Sequence, residues 1–263
     1  MPVSLVTWMY PLEDSSLPHP CSELLHAALF AMANAHKPAM AAALHDGDDI
    51  RPFALSTLWP RTRVNGTAMA LAKMTGCRFR LSLLTEDAVE TFYGGLTAAQ
   101  GAGMPMRLGA SLFKIVSTEM EEGCGAVPYD ALPMEMERAV LRFLSPTTFR
   151  RAGQSYPLPD PSLVYGSLWR KWQAFSTVPF PQDACDELLG AVALSRAALR
   201  TRGWQFARYL LTGFTGVAEF VLTKEVSSEA RRLFGALSRF ARYASVGLRT
   251  TMGLGQCVLL EEP

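Results

Sequence analysis

The chain has 263 residues, 49% of them hydrophobic and 19% charged, with a formal net charge of +1. This balance excludes a disordered polyelectrolyte, which needs low hydrophobicity and high net charge, and no apolar run approaches the roughly 20 residues that cross a bilayer; the best, Ala27 to Ala33, is broken by Asn34, His36 and Lys37. Cys21, Cys77, Cys124, Cys185 and Cys257 are far apart with no CxxC pair, and the opening MPVSLVTWMYPLED lacks a basic flank before its apolar stretch, so a reducing, cytoplasmic setting without a secretory signal or membrane partner is expected.

Val3 to Met9, β-branched and carrying an aromatic, reads as the first strand. From Cys21 to Leu44, Leu24, Leu25, Ala28, Leu29 and Met32 recur at helical spacing, with Cys21-Ser22 as the N-terminal cap and Pro38 dividing the stretch into two helices. Pro52 introduces a strand over Phe53 to Trp59. From Gly76 to Leu84, Cys77, Phe79, Leu81 and Leu83 alternate with Arg78, Arg80 and Ser82, a strand with one wet face. Thr85, followed by Glu86 and Asp87, caps a helix through about Thr97, and Met106 to Ser117 returns as a strand. Strand, helix, strand, strand, helix, strand is one ferredoxin-like unit.

The order then repeats. Ala139 to Phe149 reads as a strand, Ser162 to Phe175 as a helix, and Ala191 to Ala207 as a long, arginine-punctuated strand whose alanines also permit helix. Gly213 and Gly216 bound a turn before the strand Val217 to Leu222. Ser227 or Ser228 with Glu229 begins a helix with the apolar stripe Leu233, Leu237, Phe240 and Ala244, while Arg231, Arg232, Arg239 and Arg242 lie largely off it; Cys257 to Leu260 closes as a strand. The expected fold is therefore α+β: two tandem ferredoxin-like (RRM-like) βαββαβ domains, residues 1–122 and 134–263, joined by Gly123 to Pro133 and ending in a glycine-rich loop. This fold hosts many functions, so topology alone assigns none.

Charge is split along the chain. Arg138 to Thr250 holds 16 Lys and Arg against 7 Asp and Glu, and the remainder 9 against 17. Most of the cations are arginines, suited to bidentate phosphate contacts: Arg150, Arg151, Arg170, Arg196, Arg200, Arg202, Arg208, Arg231, Arg232, Arg239, Arg242 and Arg249. A nucleic-acid surface and a solvated basic face partnered by the acidic half both fit this asymmetry.

The densest motif is GLRTTMGLGQ, with Gly247, Gly253 and Gly255 between a basic helix and the last strand. Loop amides can hold phosphate oxygens, and Arg249, Thr250 and Thr251 add side-chain donors. It is neither a P-loop, which needs GxxxxGK[ST] between strand and helix, nor a dinucleotide fingerprint. The loop resembles the signature of the CRISPR-associated endoribonucleases of the repeat-associated RAMP superfamily, which cut repeat RNA within precursor transcripts. SPTTFRRAGQSYPLPDPSLVYGSLWRKWQAF, Ser145 to Phe175, is similar to the opening of that family's C-terminal domain, and FTGVAEFVL, Phe214 to Leu222, to the strand before its last helix.

The resemblance implies metal-independent cleavage without a cofactor: the ribose 2′-hydroxyl attacks the adjacent phosphate, leaving 2′,3′-cyclic phosphate and 5′-hydroxyl ends. It implies repeat RNA, precursor and mature guide, as the partner, and allows further CRISPR-associated effector subunits. The RNA surface it suggests comprises Arg150, Arg151, Arg170, Lys171, Arg231, Arg232, Gly247, Arg249, Thr250, Thr251, Gly253 and Gly255. A non-catalytic RNA-binding subunit would use the same surface without proton chemistry.

Such chemistry needs a proton carrier, for which histidine is the natural choice near neutral pH. The four histidines, His19, His26, His36 and His45, all fall in the first 45 residues. The resemblance points to His45, at a helix end before the second strand, where an imidazolium would also be favoured by the helix dipole alone. His36, beside Pro38, is the alternative; His26 reads as a packed core residue and His19 as loop. Arg51 follows His45 by six residues, where some family members carry a lysine, and would neutralise the phosphorane. Phe30 stands where some members carry a tyrosine, removing one acid or base. The histidine spacing matches no compact metal-ligand motif.

Overall fold

The structure, a computed structural model, describes residues 1–46, 50–60 and 68–260, except the side chain at position 46. It divides into two compact units, Pro2–Ala126 and Val127–Pro263, the latter joined by Met1. No helix among the described residues is long and apolar enough to cross a membrane.

The first unit runs β1 (Val3–Pro11), β2 (Ser15–Pro18), α1 (Ser22–His36), α2 (Pro38–Asp46), β3 (Phe53–Leu55), β4 (Trp59–Pro60), β5 (Ala68–Leu71), β6 (Cys77–Leu83), α3 (Glu86–Ala88), a π-helical turn over Val89–Tyr93, α4 (Gly94–Gly101), β7 (Met106–Leu108) and β8 (Ser111–Met120). Its main sheet has the order β3-β6-β1-β8-β7, all antiparallel, with β4 beside β6. The second unit runs β9 (Arg138–Thr147), β10 (Phe149–Arg151), β11 (Gln154–Tyr156), α5 (Pro161–Phe175), α6 (Gln182–Ala191), β12 (Val192–Gln205), β13 (Leu210–Leu222), α7 (Ser228–Ala244) and β14 (Cys257–Leu260), after a 3-10 turn at Tyr129–Ala131. Its sheet order is β12-β13-β9-β14. Each unit thus places its first and third main strands centrally, flanked by the second and fourth. This is the ferredoxin-like arrangement, twice over, as the order of elements predicts.

Periodicity explains which faces are inside. On β1, Val3, Leu5 and Met9 are buried and face the helices, where they meet Leu25 and Leu29 of α1 and Phe92 in one core. In the second unit the stripe Leu233, Leu237, Phe240 and Ala244 of α7 is buried, and Trp172 of α5 meets Phe240 edge to face at 5.3 Å. Capping follows sequence: Thr85 Oγ1 accepts from the Ala88 amide, Ser227 Oγ from Ala230, and Asp160 from Ser162 and Leu163, with Pro161 in the first turn of α5.

Several expectations need correction. Cys21 precedes α1 but makes no side-chain capping bond, as befits a weak thiol acceptor. The wet face of β6 reduces to Arg78; Ser82 is buried, and Arg80 is only 2% exposed, its guanidinium 3.7 Å from the Glu121 carboxylate. Phe53 to Trp59 is two short strands, and Met106 to Ser117 breaks into a hairpin at Gly109, which has φ +62°. Gly213 and Gly216 bound no turn; both lie inside β13, and the reversal falls at residues 206–209. Gly216 is needed for close approach, since a Cβ there would sit 2.1 Å from the Ala198 carbonyl oxygen. Helix α6 is an addition, its signal being Pro181 ahead of Ala184, Cys185 and Leu188 at helical spacing.

Candidate active site and nucleic-acid interface

Helix α1 ends at His36, and Lys37-Pro38 turns the chain into α2, whose last turn carries His45. Arg51 follows, just before β3. This path brings both His45 and Arg51 into electrostatic reach of His26. Phe30 contacts both imidazoles, with centroids 4.8 Å from His26 and 5.3 Å from His45, the latter edge to face at 88°. His26 also lies over Phe53, at 6.1 Å and 29°. His45 is exposed, whereas His26 and Arg51 are half-buried.

Position decides the electrostatics of His26. Burial pushes its imidazole down to about 4, helped by the positive charges of His45 and Arg51. Between its ordinary 6.5 and about 4, the unfolded chain therefore binds a proton that the folded chain does not, so this group weakens the fold as pH falls through that window. Denaturant titrations at pH 7 and pH 4.5 are expected to show a smaller loss of stability on acidification in His26→Gln than in the unaltered protein.

The other histidines stand elsewhere. His36 lies ten residues beyond His26, about 15 Å along the helix axis, and covers Gly94: a Cβ on that glycine would sit 2.6 Å from His36 Nε2. The neighbouring Lys37 pairs with Glu90. His19 is half-buried just past β2.

In the second unit the glycine-rich segment folds back on its own scaffold. Gly247, at φ +83°, would place a Cβ 2.4 Å from the Thr148 carbonyl oxygen, and Gly255, at φ +73°, would place one 2.0 Å from that of Val246. These glycines permit close backbone contact, and five of the loop's amides are already engaged within the protein. Gly247 N–H donates to Ser167 Oγ, Leu248 to Thr148 O, Met252 and Leu254 to Arg249 O, and Gly255 to Pro146 O. What the segment presents outward is Arg249, exposed and in the left-handed region at φ +54°, with Thr251 half-buried; Thr250 is buried.

Lys171, expected on the RNA surface, is instead 8% exposed. Its ammonium donates to the carbonyl oxygens of Ala244 and Ser245, where α7 ends, and to Thr250 Oγ1 at 2.9 Å. Burial pushes it down to about 7. It stitches α5 to the end of α7 and to the glycine-rich segment.

Arg170, beside it on α5, is exposed, as are Arg150 and Arg151 on β10. Arg151 pairs with Asp160 at 3.3 Å and lies over Tyr156. Arg231 and Arg232 are not part of this group: they sit in the first turn of α7, more than three turns from its C-terminal end, and pair with Glu135 and Glu229. The β12–β13 ribbon carries Arg196, Arg200 and Arg202 exposed along β12 and Arg208 at its turn. Trp204, Phe206 and Leu254 form a small buried cluster with Leu211 and Met252, fastening the ribbon tip to the glycine-rich segment. Arg202, Arg208 and Arg249 thereby belong to connected structure.

Residues 141–257 match the family model described as CRISPR-associated endoribonuclease Cas6. A curated CRISPR-associated endoribonuclease Cas6 from Mycobacterium tuberculosis (strain CDC 1551 / Oshkosh) is 28% identical over 191 residues, which cover 71% of this chain but only 60% of the relative's length. Among solved structures, the Cas6 (TTHB231) product complex superposes with a TM-score of 0.83 at 28% identity, covering 99% of this chain and 100% of that one. The Cas6 (TTHA0078) product complex gives 0.75 at 28% identity over 98% and 100%. The structure named Thermus thermophilus Cas6 (TTHB231) gives 0.73 at 26% identity over 99% and 98%.

Proposed function

We propose that the chain is a member of the Cas6 family of CRISPR-associated endoribonucleases, to which it is similar in sequence and fold, and that it cuts repeat RNA in precursor transcripts by metal-independent transesterification. The observation that carries this reading is the grouping of His45, Arg51 and His26 ahead of β3, in a fold shared along nearly its whole length with proteins solved as product complexes and, for one of them, with a substrate mimic. That same relative has also been solved with one histidine replaced by alanine.

The reaction follows from what these groups can do. The 2′-hydroxyl next to the scissile phosphate attacks phosphorus, the P–O5′ bond breaks, and a cyclic 2′,3′-phosphate remains beside a 5′-hydroxyl. The Arg51 guanidinium stabilises the extra negative charge of the phosphorane, and His45, at the solvent-facing end of α2, serves as the proton carrier. Binding is the task of the second unit, where Arg249, Arg170 and Arg150 and the ribbon arginines offer guanidinium groups to phosphates.

The test is cleavage of a repeat RNA in excess chelator. The unaltered protein is expected to cut the all-ribose RNA, leaving cyclic-phosphate ends, and to leave intact a substrate with one 2′-deoxy sugar at the cut. A requirement for divalent metal, or cutting of the deoxy substrate, would defeat the mechanism. Binding without any cutting would favour the RNA-binding-subunit reading.

A further inference from the structure

We propose that Tyr209, at the tip of the β12–β13 ribbon, stacks on one unpaired base of the repeat RNA and so helps to choose which RNA is held. The assignment rests on the RNA partner of the proposed function and adds to its phosphate contacts one that a phosphate cannot make.

The argument begins with how the tip is closed. The Phe206 amide donates to the Tyr209 carbonyl oxygen at 2.9 Å, and Gln205 Nε2 donates to the carbonyl oxygens of both Phe206 and Tyr209. The Tyr209 backbone is thus held by two donors where the chain reverses. Its ring lies on that of Phe206, with centroids 4.8 Å apart and 27° between the planes. Phe206 is 2% exposed and packs with Trp204 and Leu254, so the lower ring of this pair is anchored from beneath.

A ring has two faces. One face of Tyr209 is fixed on Phe206, and its 39% exposure belongs to the other face and the hydroxyl edge. An aliphatic side chain would cover Phe206 equally well; what the ring adds is a flat outer surface. Around it the ribbon is cationic, with Arg208 adjacent in sequence and Arg202 further along β12, both exposed. An aromatic face with guanidinium groups to either side suits a nucleobase still attached to its phosphates, the combination by which single strands are held. Bases inside a duplex have both faces covered by their neighbours, so the base that Tyr209 meets lies outside any stem, with one face open. Because Phe206 and Gln205 already immobilise the tyrosine, stacking orders little more on the protein side.

Removing bases one at a time tests this. Equilibrium binding would be measured with repeat RNA made uncleavable by a 2′-deoxy sugar at the cut, and with a set of copies each lacking one base but keeping its sugar and phosphate. At one unpaired position, base removal is expected to weaken binding to the unaltered protein by about tenfold or more, yet to weaken Tyr209→Leu and Tyr209→Met by less than about threefold. Leucine and methionine keep Phe206 covered, so both variants are expected to melt cooperatively as the unaltered protein does. On intact RNA each binds about tenfold more weakly, and Tyr209→Phe binds within about threefold of the unaltered protein. The slope of affinity against salt stays the same in all three, whereas Arg208→Gln flattens it by about 0.7.

Base removal that weakens the leucine and methionine variants as much as the unaltered protein at every position would overturn the assignment. So would a coupled position that is paired within a stem, affinity for intact RNA within about threefold of the unaltered protein in both variants, or loss of cooperative melting in both. An unaltered protein that shows the coupling but leaves all-ribose repeat RNA uncut would remove the ribonuclease reading and leave the stack standing; cutting without the coupling would do the reverse.

Discussion

Replacing His45 by alanine is expected to slow cleavage of repeat RNA by about 10³-fold while changing RNA affinity by less than about threefold. The split follows from where the residue sits. His45 occupies the exposed end of α2, in the first unit, with its ring against Phe30. The guanidinium groups proposed to hold phosphates, Arg249, Arg170 and Arg150 among them, are carried by the second unit. Proton transfer and phosphate binding are separate tasks, and truncating an imidazole removes only the first. Single-turnover rates with equilibrium binding of an uncleavable 2′-deoxy repeat check both halves. A His45→Ala protein that cuts at the unaltered rate, or one whose lost activity is matched by lost binding, would show the proton carrier to be elsewhere.

Substituting Lys171 by methionine is expected to cost about 3 kcal/mol, enough to lower the melting temperature by about 6–12 °C. Methionine keeps the volume of the stem but removes the donor, stranding the Ala244 and Ser245 carbonyls and the Thr250 hydroxyl. Those oxygens end α7 and anchor the glycine-rich segment, so weaker RNA binding should accompany the lower melting temperature even well below it. Calorimetry together with binding at 20 °C checks this. Arginine should not restore either property, because a planar five-donor fork does not fit the space of a compact ammonium. An unchanged melting temperature in Lys171→Met would show that the buried contacts contribute nothing net.

Much of this architecture is legible in the residues. Alternating and helical periods locate the main strands and helices, and LPDP announces its own helix, since Asp160 caps it and Pro161 opens it. The place of His45 and Arg51, at a helix end and before a strand, is likewise visible in the chain order. What is not visible depends on contacts between distant segments. His26 looks like core because Leu25 and Leu29 flank it on a buried face, and helical phase does not say that α2 returns to set His45 and Arg51 beside it. Lys171 looks like surface because lysine usually is; only the arrival of the α7 terminus, more than 70 residues later, gives its charge an interior use. The glycines suggest an anion cradle, yet the backbone they permit is turned toward β9 and β10. Arg80 looks wet by alternation and is enclosed beside Glu121, 41 residues away.

Trp204 lies at a junction whose mechanical meaning reaches past its size. Beyond Phe214 the β12–β13 ribbon has lost its third strand, so a free tip would twist and swing with every thermal kick. Anchored through Trp204 and Phe206 to Leu254, it is welded to the segment bearing Arg249, and the two form one stiff jaw. With that tip fastened, Arg202, Arg208 and Arg249 are held at set separations, which the phosphates of the proposed RNA partner would have to match.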